Sequence, residues 1–285
     1  MMTDAAATPD APSSFVDAYA PAEIARKVED LGVKKARSDA ASLLVLALLA
    51  GAFISLGAAL ATVVASGSEL GFGPTRLLGG IAFCLGLVLV VLAGAELFTG
   101  NNLIAMAWAS RRITTREVLR NWGIVYLGNA IGALGTVALV TFARTDELGA
   151  GSVGETAHAI GIAKAELGPL AALARGILCN ALVCLAVWLA MGGRSLADKL
   201  LAVVFPIAAF VTMGFEHSIA NWFFLPWALL IDGGATEGLA SGCVSNLLWV
   251  TLDNVLGGTL LVAGVYWSAY LRPGIAARSA ARDDP

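Results

Sequence analysis

Charge is what this sequence has least of. Asp, Glu, Lys and Arg make up 14% of it, against about 25% in an ordinary soluble domain. That shortage excludes a water-facing surface wrapped around a small core. Histidine is scarcer still: there are two, too few for a zinc site built on three histidine ligands. No H-E-x-x-H or G-x-S-x-G pattern occurs, which removes the common routes to an intramembrane hydrolase. The four cysteines, Cys84, Cys179, Cys184 and Cys243, form no C-x-x-C pair and do not cluster with histidine. They read as small buried hydrophobes, without disulfide or metal. A net charge of −3 says nothing useful about partners; neither a nucleic-acid partner nor a cofactor is expected.

What the chain has instead is apolar length. It is 58% hydrophobic, with a mean hydropathy of +0.79. Charge-free runs cover residues 40–68, 77–95, 121–143, 176–193 and 254–271. Most reach the roughly 18–20 residues a helix needs to cross the hydrocarbon of a bilayer. The first run follows a charged, proline-containing segment, so a cleaved secretory signal is not expected. Two further stretches are interrupted. Residues 77–95 are followed by Glu96 and then by the apolar run 97–110; residues 200–215 are followed by Glu216 and His217 and then by 218–231. Each reads as one crossing made of two half-helices. Six crossings result, at about 41–66, 77–112, 118–143, 167–191, 197–230 and 248–271.

The basic residues give an orientation. Fourteen of the eighteen fall on one side: Arg26, Lys27, Lys34, Lys35 and Arg37 before the first crossing, Arg111, Arg112, Arg116 and Arg120 after the second, Arg194 and Lys199 after the fourth, and Arg272, Arg278 and Arg282 at the end. Arg76, Arg144, Lys164 and Arg175 fall on the other. Both termini are therefore expected in the cytoplasm. The chain divides into a disordered tail (1–20), a cytoplasmic surface helix (21–39), a six-helix transmembrane domain (40–272) and a second disordered tail (273–285).

The halves repeat. "GAELFTGN" (94–101) and "GFEHSIAN" (214–221) share Gly-x-Glu-x-x-x-x-Asn at an offset of 120; "LGNAIGAL" and "LDNVLGGT" share Asn-x-x-Gly at Asn129 and Asn254. Each half thus holds a plain helix, a broken helix and an Asn-x-x-Gly helix. Three crossings per half is odd, so the second half is inverted. The fold class is an all-α membrane protein of two inverted three-helix repeats, and matching broken helices point to a transport site between them. Unwound backbone cannot face lipid. The free N–H groups at the two downstream half-helix starts, near 100–101 and 218–219, make a weakly positive region suited to a small monovalent anion. Glu96 and Glu216, beside those starts, read as structural supports of the breaks, joined by Asn101, Asn129 and Asn254. His158, between residues 144 and 164, reads as an exposed loop residue.

These segments also carry a resemblance. "AELFTGNNL", "NWGIVYLGNAIGAL", "RGILCNALVCLAVWLA" and "GFEHSIANWFFLPWALL" resemble the formate/nitrite transporter family over roughly residues 22–272. The resemblance implies an aquaporin-like protomer in a homopentamer, each subunit with its own pore, in the inner membrane of a prokaryote. It implies formate, nitrite, hydrosulfide or a related small monovalent anion as substrate. Position by position, His217 matches the central pore histidine, with Asn180 and Asn221 close to it. Leu97, Phe98 and Thr99 match a break loop that forms part of the cytoplasmic-side constriction and whose threonine meets the histidine. Phe83, Leu87 and Phe210 match apolar residues that narrow the lumen, and Lys164 matches a lysine of the outer vestibule.

The expected mechanism follows from solvation. Apolar rings exclude hydrated ions. A weak acid's anion passes if donors compensate it, or if it is protonated briefly and crosses as the neutral acid. His217 suits either route, since histidine changes charge near neutral pH. A neutral-solute channel shares the broken-helix design, but aquaporins place Asn-Pro-Ala at both half-helix starts, where this chain has Gly-Asn-Asn and Ser-Ile-Ala-Asn.

Overall fold

The computed structural model describes residues 18–275, and every regular element within them is helical. Of the tails expected at 1–20 and 273–285, residues 1–17 and 276–285 lie outside the described residues; Tyr19 donates its N–H to the Gly192 carbonyl (3.0 Å), and residues 273–275 continue the last helix. In chain order the helices are α1 (Pro21–Ala36), α2 (Ala40–Ala65), α3 (Phe72–Ala93), α4 (Ala105–Ala109, entered through a 3-10 turn, Gly100–Ile104), α5 (Thr115–Phe142), α6 (Ser152–Ala165), α7 (Pro169–Gly192), α8 (Leu196–Thr212), α9 (Ser218–Asp232) and α10 (Leu239–Leu256), which runs on through looser turns to Leu271.

Local chemistry sets several helix starts. Asp39 accepts the Ser42 N–H at the start of α2 (2.9 Å). Thr114 and Glu117 exchange side-chain and backbone bonds at α5, and Ser195 and Asp198 do so at α8. Each such cap is worth about 1 kcal/mol. Left-handed glycines stop two helices: Gly94 (φ +83) ends α3 and Gly214 (φ +73) follows α8, a conformation that costs glycine little.

Five helices are long and apolar enough to cross a bilayer: α2, α3, α5, α7 and the span Leu239–Ile275. Large apolar side chains face outward, among them Leu139 (69% exposed) and Phe205 (74%), as expected where the surrounding solvent is itself apolar. Inside, α2 packs on α3 and α5, α7 packs on α8 and α10, and α3 meets α8. The Asn-x-x-Gly glycines allow two of these contacts. A Cβ on Gly132 would overlap the Leu48 carbonyl of α2, and one on Gly257 the Ile177 carbonyl of α7; small residues at such seams let backbones approach closely.

The sequence reading missed α6. Its segment was expected to be loop, because it is rich in Ala and Gly and shows no strong apolar periodicity. Packing holds it instead: Val153 and Ala157 are buried, and Gly161 sits against Ala228 of α9. His158 is also corrected. It is partly buried, and its Nε2 lies 2.8 Å from Asp232 Oδ1 at the end of α9.

Candidate functional site

The chain between α3 and α4 and the chain between α8 and α9 are held by the same set of bonds. In the first, Glu96 N–H donates to the Leu46 carbonyl (3.2 Å). Asn129 accepts the Phe98 N–H (2.8 Å) and donates to the Ala47 and Glu96 carbonyls (2.7 and 2.9 Å). In the second, Glu216 N–H donates to the Arg175 carbonyl (3.3 Å). Asn254 accepts the Ser218 N–H (2.8 Å) and donates to the Gly176 and Glu216 carbonyls (2.8 and 2.9 Å). Asparagine suits this task because its amide both accepts and donates. One side chain thereby satisfies two backbone groups of the break and ties them to a carbonyl of a neighbouring helix, Ala47 of α2 or Gly176 of α7.

The two glutamates are wired alike as well. Glu96 accepts from Lys35 Nζ (3.0 Å) and Asn101 Nδ2 (2.7 Å); Asn101 in turn accepts from Lys35 (2.8 Å) and donates to Asn121 Oδ1 (3.0 Å). Asn121 Nδ2 reaches the Lys35 carbonyl at 3.0 Å. Glu216 accepts from Lys164 Nζ through both oxygens (3.0 Å each) and from Asn221 Nδ2 (2.8 Å). Asn221 donates also to Asn246 Oδ1 (2.7 Å), and Asn246 Nδ2 reaches the Lys164 carbonyl (2.9 Å). Each carboxylate, buried at Glu216 and partly buried at Glu96, thus has a cation and an amide donor beside it, which is what taking a charge out of water requires.

Lys35, Asn121 and Asn246 were not singled out in the sequence. Lys35 stands 61 residues before Glu96, while Lys164 stands 52 before Glu216, so the pairing is invisible to a fixed offset. Asn121 and Asn246 are 125 residues apart, the offset of the Asn-x-x-Gly pair, and that signal could have found them.

His217 occupies the N-cap of α9, 3% exposed. Its Nδ1 accepts the Ala220 N–H (3.1 Å). A neutral imidazole with Nδ1 so engaged carries its proton on Nε2, and Nε2 lies 3.1 Å from Thr99 Oγ1. The histidine therefore donates to the threonine, joining one break to the other. The ring stacks on Phe210 (centroids 5.9 Å apart), and Phe210 meets Phe83 edge-on at 5.6 Å.

Asn180 and Asn221 make no bond to the ring. Asn180 donates to Asn102 Oδ1 and to the Asn254 carbonyl (2.6 Å each), while Asn221 serves Glu216. Phe98 packs edge-on against Trp122 and Tyr126 (6.3 and 5.0 Å).

Two cavities approach this waist from opposite sides. One, of about 450 Å³, is lined by Phe83, Phe210, His217, Lys164, Glu216, Arg76 and Arg175. The other, of about 420 Å³, is lined by Leu87, Leu97, Lys35, Glu96 and Asn101. Phe98 lines neither. Phe83 and Leu87, which line different cavities, are about one turn, or about 6 Å, apart along α3. Each cavity has a lysine and a glutamate at its wall and closes on apolar side chains.

The profile of the formate/nitrite transporter family matches residues 22–268. The formate channel FocA of Escherichia coli (strain K12) is 40% identical over 273 residues, covering 90% of this chain and 96% of that protein. The transporter YrhG of Bacillus subtilis is 41% identical over 255 residues, covering 88% and 93%. A solved structure of a pentameric formate channel with formate bound superposes with a TM-score of 0.73 at 40% identity, covering 81% of this chain and 98% of that one. A solved ion channel of the same family gives 0.78 at 29% identity, covering 87% and 98%. These relatives are channels and transporters rather than enzymes. The chain belongs to the formate/nitrite transporter family.

Proposed function

We propose that the protein is a membrane channel for small monovalent anions of weak acids, with formate as its principal substrate. The observation that carries this reading is the waist: a buried imidazole donates to Thr99 where two cavities, lined by Phe83 and Leu87 about one helical turn apart, approach each other. The 40% identity to formate channels and the likeness to a channel with formate bound support the substrate. Nitrite is the second reading, favoured by the family itself.

In this account α3 with α4, and α8 with α9, each form one interrupted crossing, giving six in two inverted halves. The shared bonding of the two breaks supports that arrangement. The Lys164 cavity faces outward and the Lys35 cavity faces the cytoplasm of a prokaryote, as the distribution of basic residues favours. Five copies assemble, each with its own passage, as in the pentameric relative.

Phe83 and Phe210 close the waist from outside; Leu87 and Leu97 close it from inside, with Phe98 holding the break loop from behind. An anion reaching the waist gains the Nε2–H of His217. For His217 to take up a proton, Nδ1 must release the Ala220 N–H. The imidazolium then passes its Nε2 proton to the anion, and the products are neutral imidazole, protonated on Nδ1, and the neutral acid, which crosses apolar rings at little desolvation cost. The acid releases its proton in the opposite cavity. Asn180, Asn221, Glu96, Glu216, Asn101, Asn129 and Asn254 hold the breaks in the shape this needs.

The test is a substrate panel in proteoliposomes, with formate, nitrite and glycerol compared by stopped-flow swelling. Formate flux well above empty liposomes with glycerol at background supports the reading; fast glycerol with background formate overturns it.

A further inference from the structure

Three cations line the cavity on the Lys164 side, and two of them are already engaged. Lys164 gives its ammonium to both oxygens of Glu216, 3.0 Å from each. Viewed from the cavity mouth the pair is a dipole, and its pull on an approaching anion fades quickly with distance. Arg76 donates through Nε to the Thr212 carbonyl (3.2 Å) and through Nη2 to the Val211 carbonyl (2.7 Å). Its guanidinium thereby closes the last turn of α8, where carbonyl ends carry partial negative charge.

Arg175 differs. It lies near the start of α7, its side chain is exposed, and it has no side-chain partner among the described residues. Its carbonyl accepts the Glu216 N–H, so the backbone is fixed to the break while the guanidinium stays free. Much of the wall around it is apolar, with Ala61, Ala65, Ile160, Ala163 and Phe215. Low-dielectric walls concentrate the field of an uncompensated charge and raise the local concentration of its counter-ion.

We propose that Arg175 is the residue on which an anion first docks in this cavity, ahead of Lys164, and that it favours anions presenting two oxygens. A guanidinium offers parallel N–H groups that match a carboxylate or nitrite in bidentate fashion, which an ammonium does not. Hydrosulfide, with one acceptor atom, gains only the charge. This rests on the anion-transport reading and adds its first binding step and a preference among substrates.

The experiment uses membrane vesicles from a host lacking its own formate transporters, prepared right-side-out and inverted, carrying wild-type protein, R175Q or R175K. Initial uptake of radiolabelled formate is measured over a range of concentrations, with hydrosulfide in parallel. R175Q is expected to raise the half-saturation concentration for formate about three- to tenfold in right-side-out vesicles, with the maximal rate kept and the inverted vesicles unaffected. R175K should restore hydrosulfide uptake fully and formate only in part. A shift confined to inverted vesicles supports the docking role and reverses the orientation of the chain. An unchanged half-saturation in both orientations, an equal shift in both, or a loss of maximal rate alone overturns the proposal. Wild-type protein that carries no formate in either orientation overturns the transport reading itself, and docking with it.

Discussion

His217 Nε2 and Thr99 Oγ1 stand 3.1 Å apart although 118 residues separate them in the chain. Each belongs to a different break: Thr99 comes just before the turn that leads into α4, and His217 caps α9. Their bond joins two similarly wired breaks, and His217 also lines the cavity on the Lys164 side. Changing Thr99 therefore tests the waist without touching the bonds that hold the breaks, whereas changing His217 also removes the Nδ1 cap of α9.

Thr99→Val keeps the shape and removes the acceptor. The imidazole N–H is then buried without a partner, which costs about 1–3 kcal/mol. Formate flux in proteoliposomes should fall roughly tenfold if the orienting bond matters at the barrier, while Thr99→Ser stays near wild type. Thermal unfolding in detergent should change little for Ser and modestly for Val. Wild-type flux in Thr99→Val would remove this bond from the mechanism.

Asn129 and Asn254 each bond three backbone groups at or beside a break. Alanine at either position leaves the break's own N–H and carbonyl without this partner in a buried place, while the Ala47 and Gly176 carbonyls lie inside α2 and α7; the expected loss is about 3 kcal/mol. The bonding is equivalent, so the two losses should agree within about 1 kcal/mol. Thermal or denaturant unfolding of each variant in detergent measures this. A large effect at one position and none at the other would mean that the two breaks are not held alike.

His158 and Asp232 join α6 to the far end of α9, with Thr236 adding its N–H (3.0 Å) and hydroxyl (2.6 Å) to the same carboxylate. Those two donors, with His158, hold the Asp232 carboxyl below its ordinary value of 3.8. A carboxylate with a lowered folded-state value stabilises the fold above its unfolded value and loses that contribution as pH falls. Stability should accordingly drop as pH goes below about 4, and Asp232→Asn should flatten that part of the profile. Unfolding temperatures recorded between pH 7 and pH 3 would show it; identical acid profiles for the two proteins would contradict it.

Much of this was legible in the sequence, for physical reasons that also mark its limits. Charge-free runs reveal helices long enough for a bilayer because hydrocarbon tolerates almost nothing else there. Glu96 and Glu216 stood out because a carboxylate amid apolar residues needs a reason. The lysines that balance them did not pair up on inspection: Lys35 comes from α1 and Lys164 from α6, elements without fixed spacing to the motif. Helix α6 itself was hidden, since an Ala- and Gly-rich segment gives little apolar periodicity and is held by contacts with α9. The family resemblance implies Phe98 as a constriction residue, yet its ring packs on Trp122 and Tyr126; side-chain direction at a break follows no simple period.

The most direct test of the central idea, that a single histidine governs passage, is the pH dependence of formate flux through His217→Phe in proteoliposomes, followed between about pH 5 and pH 8 and corrected for diffusion through empty liposomes. Wild-type flux should rise steeply as pH falls and the variant should lose that dependence, with the fold intact by its unfolding temperature. A variant whose flux follows pH as the wild type does would contradict the account.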